Sequence, residues 1–174
     1  NRVSVYVMLE AMRRTAKTGF DLYAVATVQE EVGVRGAITS SYGIAPDVGI
    51  ALDVTIAGDI PGMPEGERVS RLGAGTAIKV MDSYSISNPK MVQVLRDLAG
   101  ARGIPYQMEI LPRGGTDAGG IQRVRTGVPV CTISIPCRYV HTSVEMCCKA
   151  DIEASIDLLC AFIEEGHRFD YTPS

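Results

Sequence analysis

The adjacent carboxylates Glu30 and Glu31 are where chemistry first suggests itself in this chain of 174 residues. They lie in Gln29-Glu30-Glu31-Val32-Gly33-Val34-Arg35-Gly36, after the apolar, partly β-branched run Phe20–Val28 and before a segment opened by two glycines. That pattern places both carboxylates where a strand ends and a helix begins. A Glu-Glu pair alone is an ordinary solvated surface feature. The reading changes when two other positions join it. Asp53 closes the apolar run Val48–Leu52, and His141 follows the apolar run Val128–Ile135 by a few residues. In an open α/β sheet the carboxyl ends of parallel strands share one edge, which forms the mouth of the ligand crevice.

Carboxylates and an imidazole gathered there make a donor set for a hard to borderline divalent cation. Without a cation, carboxylates in a cleft raise one another's pKa and oppose folding. A hydrolytic metal site needs ligands, an open position for water, and a separate carboxylate that takes the proton from that water. Two neighbouring glutamates can divide those roles, one as ligand and one as base. The second histidine, His167, sits in Glu164-Glu165-Gly166-His167-Arg168 and reads as a solvated residue at a helix end.

The elements that must position these groups follow from periodicity. Residues 1–17 predict a helix with Val5, Met8, Leu9 and Met12 as its apolar stripe, stopped by Gly19, and starting at residue 1 without room for a cap. Val34–Tyr42 predicts a short helix closed by Gly43. Ile56–Gly75, rich in Gly and Pro, predicts a long irregular loop, with an edge hairpin as the alternative. Ala77–Met81 and Tyr106–Leu111 predict strands. Between them Asn88-Pro89 is a helix start, Met91, Val94, Leu95 and Leu98 form the apolar face, and Gly103 and Pro105 end the helix. Gly114-Gly115-Thr116-Asp117-Ala118-Gly119-Gly120 predicts a turn opening a short helix, and Ala150–Glu165 the closing helix. Strands alternating with helices, each strand a near-continuous apolar run, predict an α/β fold: three layers, αβα, around a mostly parallel mixed sheet.

Composition narrows the function. The apolar fraction of 46% and charged fraction of 21% suit a globular domain of one core. Net charge is −3 and no Lys/Arg run occurs, which argues against nucleic acid or an anionic membrane as partner. No apolar run nears the roughly 20 residues of a membrane helix. Five cysteines, an odd number without a CxxC pair, predict reduced and mostly buried thiols in a cytoplasmic protein. No glycine-rich dinucleotide loop or Walker loop follows a strand.

Four stretches carry a family resemblance: Val28–Ala37, Ala51-Leu52-Asp53-Val54, Gly114–Gly119, and Ile135-Pro136 with Arg138-Tyr139 and His141. In this order they resemble the glutamyl/tetrahedral aminopeptidase family of dinuclear metallopeptidases, which is related to deblocking aminopeptidases and to proteins labelled endoglucanases. The resemblance implies a zinc-exopeptidase-like fold and removal of N-terminal residues from peptides by a metal-activated water. It implies Glu30 as general base, Glu31 and His141 as ligands of one ion and Asp53 as ligand of a second. Two divalent ions, zinc or cobalt, are implied, with Gly115 and Thr116 bordering the peptide substrate. Homo-oligomers, from dimers to dodecamers, are implied as well. The matched portion is the C-terminal part of the family's catalytic domain. The N-terminal part, a small inserted β-domain used in assembly, and a bridging aspartate expected just before Asn1 have no counterpart in these residues. On that basis the chain alone is expected not to build the complete two-metal centre. The alternatives are a non-catalytic or incomplete subunit, and a related amidohydrolase or deacylase.

Overall fold

A computed structural model describes residues 1–172. Its elements in chain order are α1 (Arg2–Arg14), α2 (Arg35–Ile44), β1 (Gly49–Ile56), β2 (Thr76–Met81), α3 (Pro89–Arg102), β3 (Tyr106–Ile110), α4 (Asp117–Gln122), β4 (Val130–Arg138), β5 (Met146–Cys147) and α5 (Lys149–Glu165). The sheet runs β1-β4-β2-β3, with β5 added on β4. β1 and β4 pair in parallel over their whole shared length, as do β2 and β3, while β2–β4 and β4–β5 are antiparallel. The expected three-layer αβα architecture with a mixed, mostly parallel sheet is what the chain forms.

The two faces of the sheet differ in chemistry. Ile78, Cys131, Ile133 and Ile135, with Ile50 and Leu52 beside them, point into an apolar core shared with α1, α3 and α5. Strand alternation sends their neighbours to the opposite face, where α4 packs on β1 and β4 and α2 packs on α4. There the register aligns Asp53 with Ser134, and Lys79 with both Thr132 and Glu109. Thr55, Lys79, Glu109, Thr132 and Ser134 are all buried on this face. The Lys79 ammonium lies 2.7 Å from Glu109 Oε1, and the Thr55 hydroxyl donates to the same oxygen at 2.6 Å. The near-continuous apolar strands expected from sequence are therefore apolar on one face and polar on the other.

Several local expectations hold for the reasons given. Asn88 caps α3 by accepting from the Lys90 and Met91 backbone N–H groups, Pro89 occupies the first helical position, and Gly103 ends the helix in the left-handed region. All five cysteines are free, with Cys131, Cys137 and Cys160 buried.

Others are corrected. Phe20–Val28 is extended but forms no strand, because no strand among the described residues pairs with it. Helix α1 stops at Arg14: Thr15 turns to an extended conformation while its N–H and hydroxyl both bond the Ala11 carbonyl. Asn1 does cap α1, accepting from the Ser4 N–H at 3.1 Å. The α1 stripe expected in the core is not the buried one. Val5, Leu9 and Met12 are exposed, whereas Ser4, Val7 and Ala11 are buried. Small residues at positions 4 and 11 let α1 lie close on α5, where the Cys160 thiol reaches the Ala11 carbonyl. Helix α2 runs past Gly43 to Ile44 and ends on Ala45 at φ 54°. Ile56–Gly75 is an irregular loop and not a hairpin. Ser70, bonded to Ile56 and Gly58, and Asp151, accepting from the Gly73 and Gly75 N–H groups, hold it to the body.

Candidate active site

The structure places Glu30 and Glu31 in a tight turn between the extended segment and α2. The Gly33 and Val34 N–H groups donate to the Glu30 carbonyl at 3.0 and 2.8 Å, and Gly36 N–H donates to the Val28 carbonyl at 2.9 Å. Gly36 is required here. A Cβ at that position would stand 2.5 Å from the Val28 backbone. Gln29 and Val34 both occupy the left-handed region, at φ 59° and 48°. For a β-branched valine this is a strained conformation that the surroundings must impose.

Asp53 lies in the middle of β1, not at its end, because parallel pairing with β4 carries the strand on to Ile56. Its Oδ1 accepts from Asn1 Nδ2 at 2.5 Å and from the Val54 N–H at 2.8 Å. Asn1 thus caps α1 with one side-chain atom and holds Asp53 with the other. His141 sits in the loop between β4 and β5, itself at φ 64°, its N–H donating to Glu145 Oε1 at 2.7 Å.

The loop and the turn meet. His141 Nε2 is 3.1 Å from Glu31 Oε1, with the two side chains 73% and 71% exposed. Exposed pairs of this kind contribute about 0–1 kcal/mol. Stability therefore gives little reason for the contact. Its chemical consequence is larger: an imidazole nitrogen and a carboxylate oxygen stand side by side, near the spacing of neighbouring ligands on an ion with bonds of about 2.0–2.2 Å. Among the described residues no group of three or more His, Cys, Asp or Glu side chains surrounds one point.

Electrostatics separate the two glutamates. Burial, then the negative charges of Asp53, Glu31 and Asp117, push the Glu30 carboxyl up to about 7, with His141 opposing. Asp53 is also raised, chiefly by burial, against the lowering effects of the Val54 N–H and Asn1. A group near 7 is poised to exchange a proton at neutral pH. The same crowding is what a cation would relieve. The residues present are thus of the right donor type for divalent metal: Glu31 with His141 on one side, Asp53 on the other.

Asp117 is a member that the motif reading did not single out. It receives the Thr27 hydroxyl on Oδ2 at 2.5 Å, its Oδ1 is buried without a partner, and burial raises its pKa. The signal was present in its position, as the first residue of a helix opened by a glycine-rich turn. Of the two residues expected to border substrate, Gly115 is exposed and Thr116 is not. The Thr116 hydroxyl lies 3.2 Å from that of Thr132 and 3.4 Å from Asp82 Oδ2. Its side chain therefore pins the loop from inside.

The sequence and the fold are similar to those of known proteins. The family model described as M42 glutamyl aminopeptidase matches residues 1–158. The chain is 42% identical over 174 residues to a lysyl aminopeptidase of Pyrococcus furiosus, covering 99% of this chain and 49% of the relative. Among solved structures, an aminopeptidase from the archaeon Desulfurococcus kamchatkensis superposes with a TM-score of 0.93 at 47% identity, over 95% of this chain and 47% of that one. A TET1 peptidase of Pyrococcus horikoshii, described as assembling into a tetrahedron or a large octahedral shell, has a TM-score of 0.76 at 26% identity, over 95% of this chain and 48% of that one. The chain spans about half the length of the curated relatives it matches.

Proposed function

The chain belongs to the M42 glutamyl aminopeptidase family, and from this premise we propose that it carries the base and several metal ligands of an aminopeptidase that hydrolyses the N-terminal peptide bond. The observation that supports this most is the meeting of His141 with Glu31 beside a separate carboxyl, Glu30, raised to about 7. One residue pair has the character of a ligand set and its neighbour in sequence has that of a proton acceptor.

Glu31 with His141 would hold one divalent ion, and Asp53 would contribute to a second. Zinc and cobalt both suit imidazole and carboxylate donors. When bound, such ions supply Lewis acidity toward the scissile carbonyl and make a water acidic enough to ionise near neutral pH. Glu30 accepts the proton of the attacking water and delivers it to the departing amine. Gly33 and Val34 hold the Glu30 backbone during both transfers. Exposed Gly115 presents backbone to the bound peptide. The Ile56–Gly75 loop, which leaves β1 just beyond Asp53, borders the substrate or a subunit contact. We propose a homo-oligomer, as its tetrahedral relative forms, working in the cytoplasm; no described helix is long and apolar enough to cross a membrane.

With three ligands divided between two ions, these residues offer any one ion at most two side chains. High-affinity zinc sites hold three or four. The complete centre therefore draws further ligands from sequence outside these residues. The test is a panel of aminoacyl anilides and their N-acetylated counterparts, assayed with zinc or cobalt on the protein expressed at its natural length. The reading expects metal-dependent cleavage that requires a free α-amino group. Equal cleavage of blocked substrates would favour the amidohydrolase reading instead.

A further inference from the structure

The turn that carries Glu30 and Glu31 is held at both ends by the same short helix, α4. On its entry side the Thr27 hydroxyl bonds Asp117 Oδ2 at 2.5 Å. On its exit side Val34 lies on Gly120, where a Cβ would come within 3.2 Å of Val34 Cγ2 and 3.1 Å of Ile38 Cγ1. Between these supports the backbone is strained twice, at Gln29 and Val34, and such conformations persist only where the surroundings over-determine them. The approach to the turn is otherwise loosely held. Among the described residues, the bond from Thr27 to Asp117 is the one hydrogen bond made by residues 21–27. It falls three residues before Glu30.

We infer that Asp117 is a positioning residue for Glu30, acting through Thr27: it fixes the chain at the entry to the turn so that the Glu30 carboxyl meets its proton donor in register. Asp117 starts α4, and α4 packs on both β1 and α2. The aspartate therefore ties the turn to the strand that carries Asp53. Its Oδ1 is buried without a partner, so among the described residues the Thr27 hydroxyl is the one hydrogen bond that the carboxylate accepts. The catalytic consequence rests on the aminopeptidase reading above; the mechanical one does not. Misplacing a catalytic group by about 1 Å can lower turnover about 100-fold, so one hydrogen bond at this point is enough to matter.

The experiment pairs two readouts on Thr27→Val, Thr27→Ser, Asp117→Ala, Asp117→Asn and the double variant Thr27→Val/Asp117→Ala, in the protein at its natural length. The first is backbone hydrogen exchange of residues 28–36, with α5 as internal reference. The second is kcat and KM on an aminoacyl anilide. Thr27→Val and Asp117→Ala are each expected to speed exchange at 28–36 about tenfold, the opening of one locally held segment, with α5 unchanged. Each is expected to lower kcat by about 10–100-fold with little change in KM, as a misplaced base does. The double variant should be no worse than either single one, because both remove the same bond. Thr27→Ser keeps the donor and should stay near wild type in both readouts. Asp117→Asn keeps the acceptor and should leave exchange at 28–36 near wild type, while its kcat also carries the loss of a negative charge that raises the Glu30 carboxyl. Thr27 lies on a surface segment, so its variants report even where Asp117→Ala fails to fold. Unchanged exchange in Thr27→Val and Asp117→Ala, additive losses, or exchange in Asp117→Asn as fast as in Asp117→Ala would overturn the inference. A wild-type protein with no aminopeptidase activity would remove the reading of the reaction, and the exchange pattern would still decide the contact.

Discussion

His141 Nε2 stands 3.1 Å from Glu31 Oε1, joining the loop after β4 to the turn before α2. The contact is exposed and contributes little to folding, yet it sets an imidazole beside a carboxylate close to Glu30, whose carboxyl feels the charges of Glu31, Asp53 and His141.

Replacing either partner separates ligand from structure. His141→Ala and Glu31→Ala should each weaken zinc binding by at least about tenfold, since even loss of a residue that merely supports a ligand costs 10–100-fold. Unfolding free energy of the metal-free protein should change by less than about 1 kcal/mol. Calorimetric zinc titration and urea denaturation read the two quantities. Unchanged zinc affinity in both variants would remove the pair from the site. The 174 residues alone should bind zinc weakly, since they bring at most two ligands to one ion.

Glu30 makes stability depend on pH. Its folded pKa of about 7 lies above the ordinary 4.5, so the folded chain retains a proton that the unfolded chain gives up. The group contributes nothing adverse below about pH 4.5, and its presence increasingly opposes folding as the pH rises toward 7. Glu30→Gln removes that opposition. In the presence of a chelator the variant should be more stable than wild type at pH 8 and no more stable at pH 4. Asp53 and Asp117 are raised as well, and because their charges act on Glu30 the gain in the variant includes relief of that mutual repulsion. A gap in urea midpoints that does not vary with pH would contradict this assignment.

Much of the frame was legible because its signals are local. Asn88-Pro89 and Gly103 bound α3 by cap chemistry that needs no partner, and the order of strands and helices gives the layers. What escaped depends on distant residues. Phe20–Val28 has the composition of a strand, but a strand exists only where another pairs with it. Val5, Leu9 and Met12 have helical spacing, yet close packing on α5 selected the smaller residues at 4, 7 and 11. In the site, Glu30, Glu31, Asp53 and His141 could be named from motif types. Asp117 was marked only by its place at the start of a helix after a glycine-rich turn, because its bond to Thr27 joins it to a distant segment. Lys79 and Glu109 were hidden in apolar runs, where a single charge reads as an interruption until its partner is found in the next strand.

That buried pair offers a stability test. Lys79→Met leaves buried Glu109 with the Thr55 hydroxyl but no cation, and takes the same cation from Asp82, 3.8 Å away; breaking a buried pair in this way costs about 3–5 kcal/mol. Lys79→Met/Glu109→Leu removes both charges and should be less destabilised than Lys79→Met alone. Chemical denaturation measures both. A double variant that is worse than the single one would mean that Glu109 serves Thr55 more than Lys79.

The Ile56–Gly75 loop is anchored near its ends by Ser70 and by the pair of Asp59 with Arg138, at 2.8 Å, while residues 61–67 are mostly exposed. Excising 61–67 should leave the fold intact and change either KM for peptide substrates or the number of subunits. Steady-state kinetics and light scattering check this. If neither quantity moves, the loop is a connector.

The account stands most directly on Glu30→Gln, measured for bound metal and for turnover on the same preparation of natural-length protein. A general base contributes about 10²–10⁴-fold, so turnover should fall by that factor while metal content stays at the wild-type value. Metal lost together with activity would make Glu30 a ligand, and turnover retained with metal in place would show that the proton is taken elsewhere.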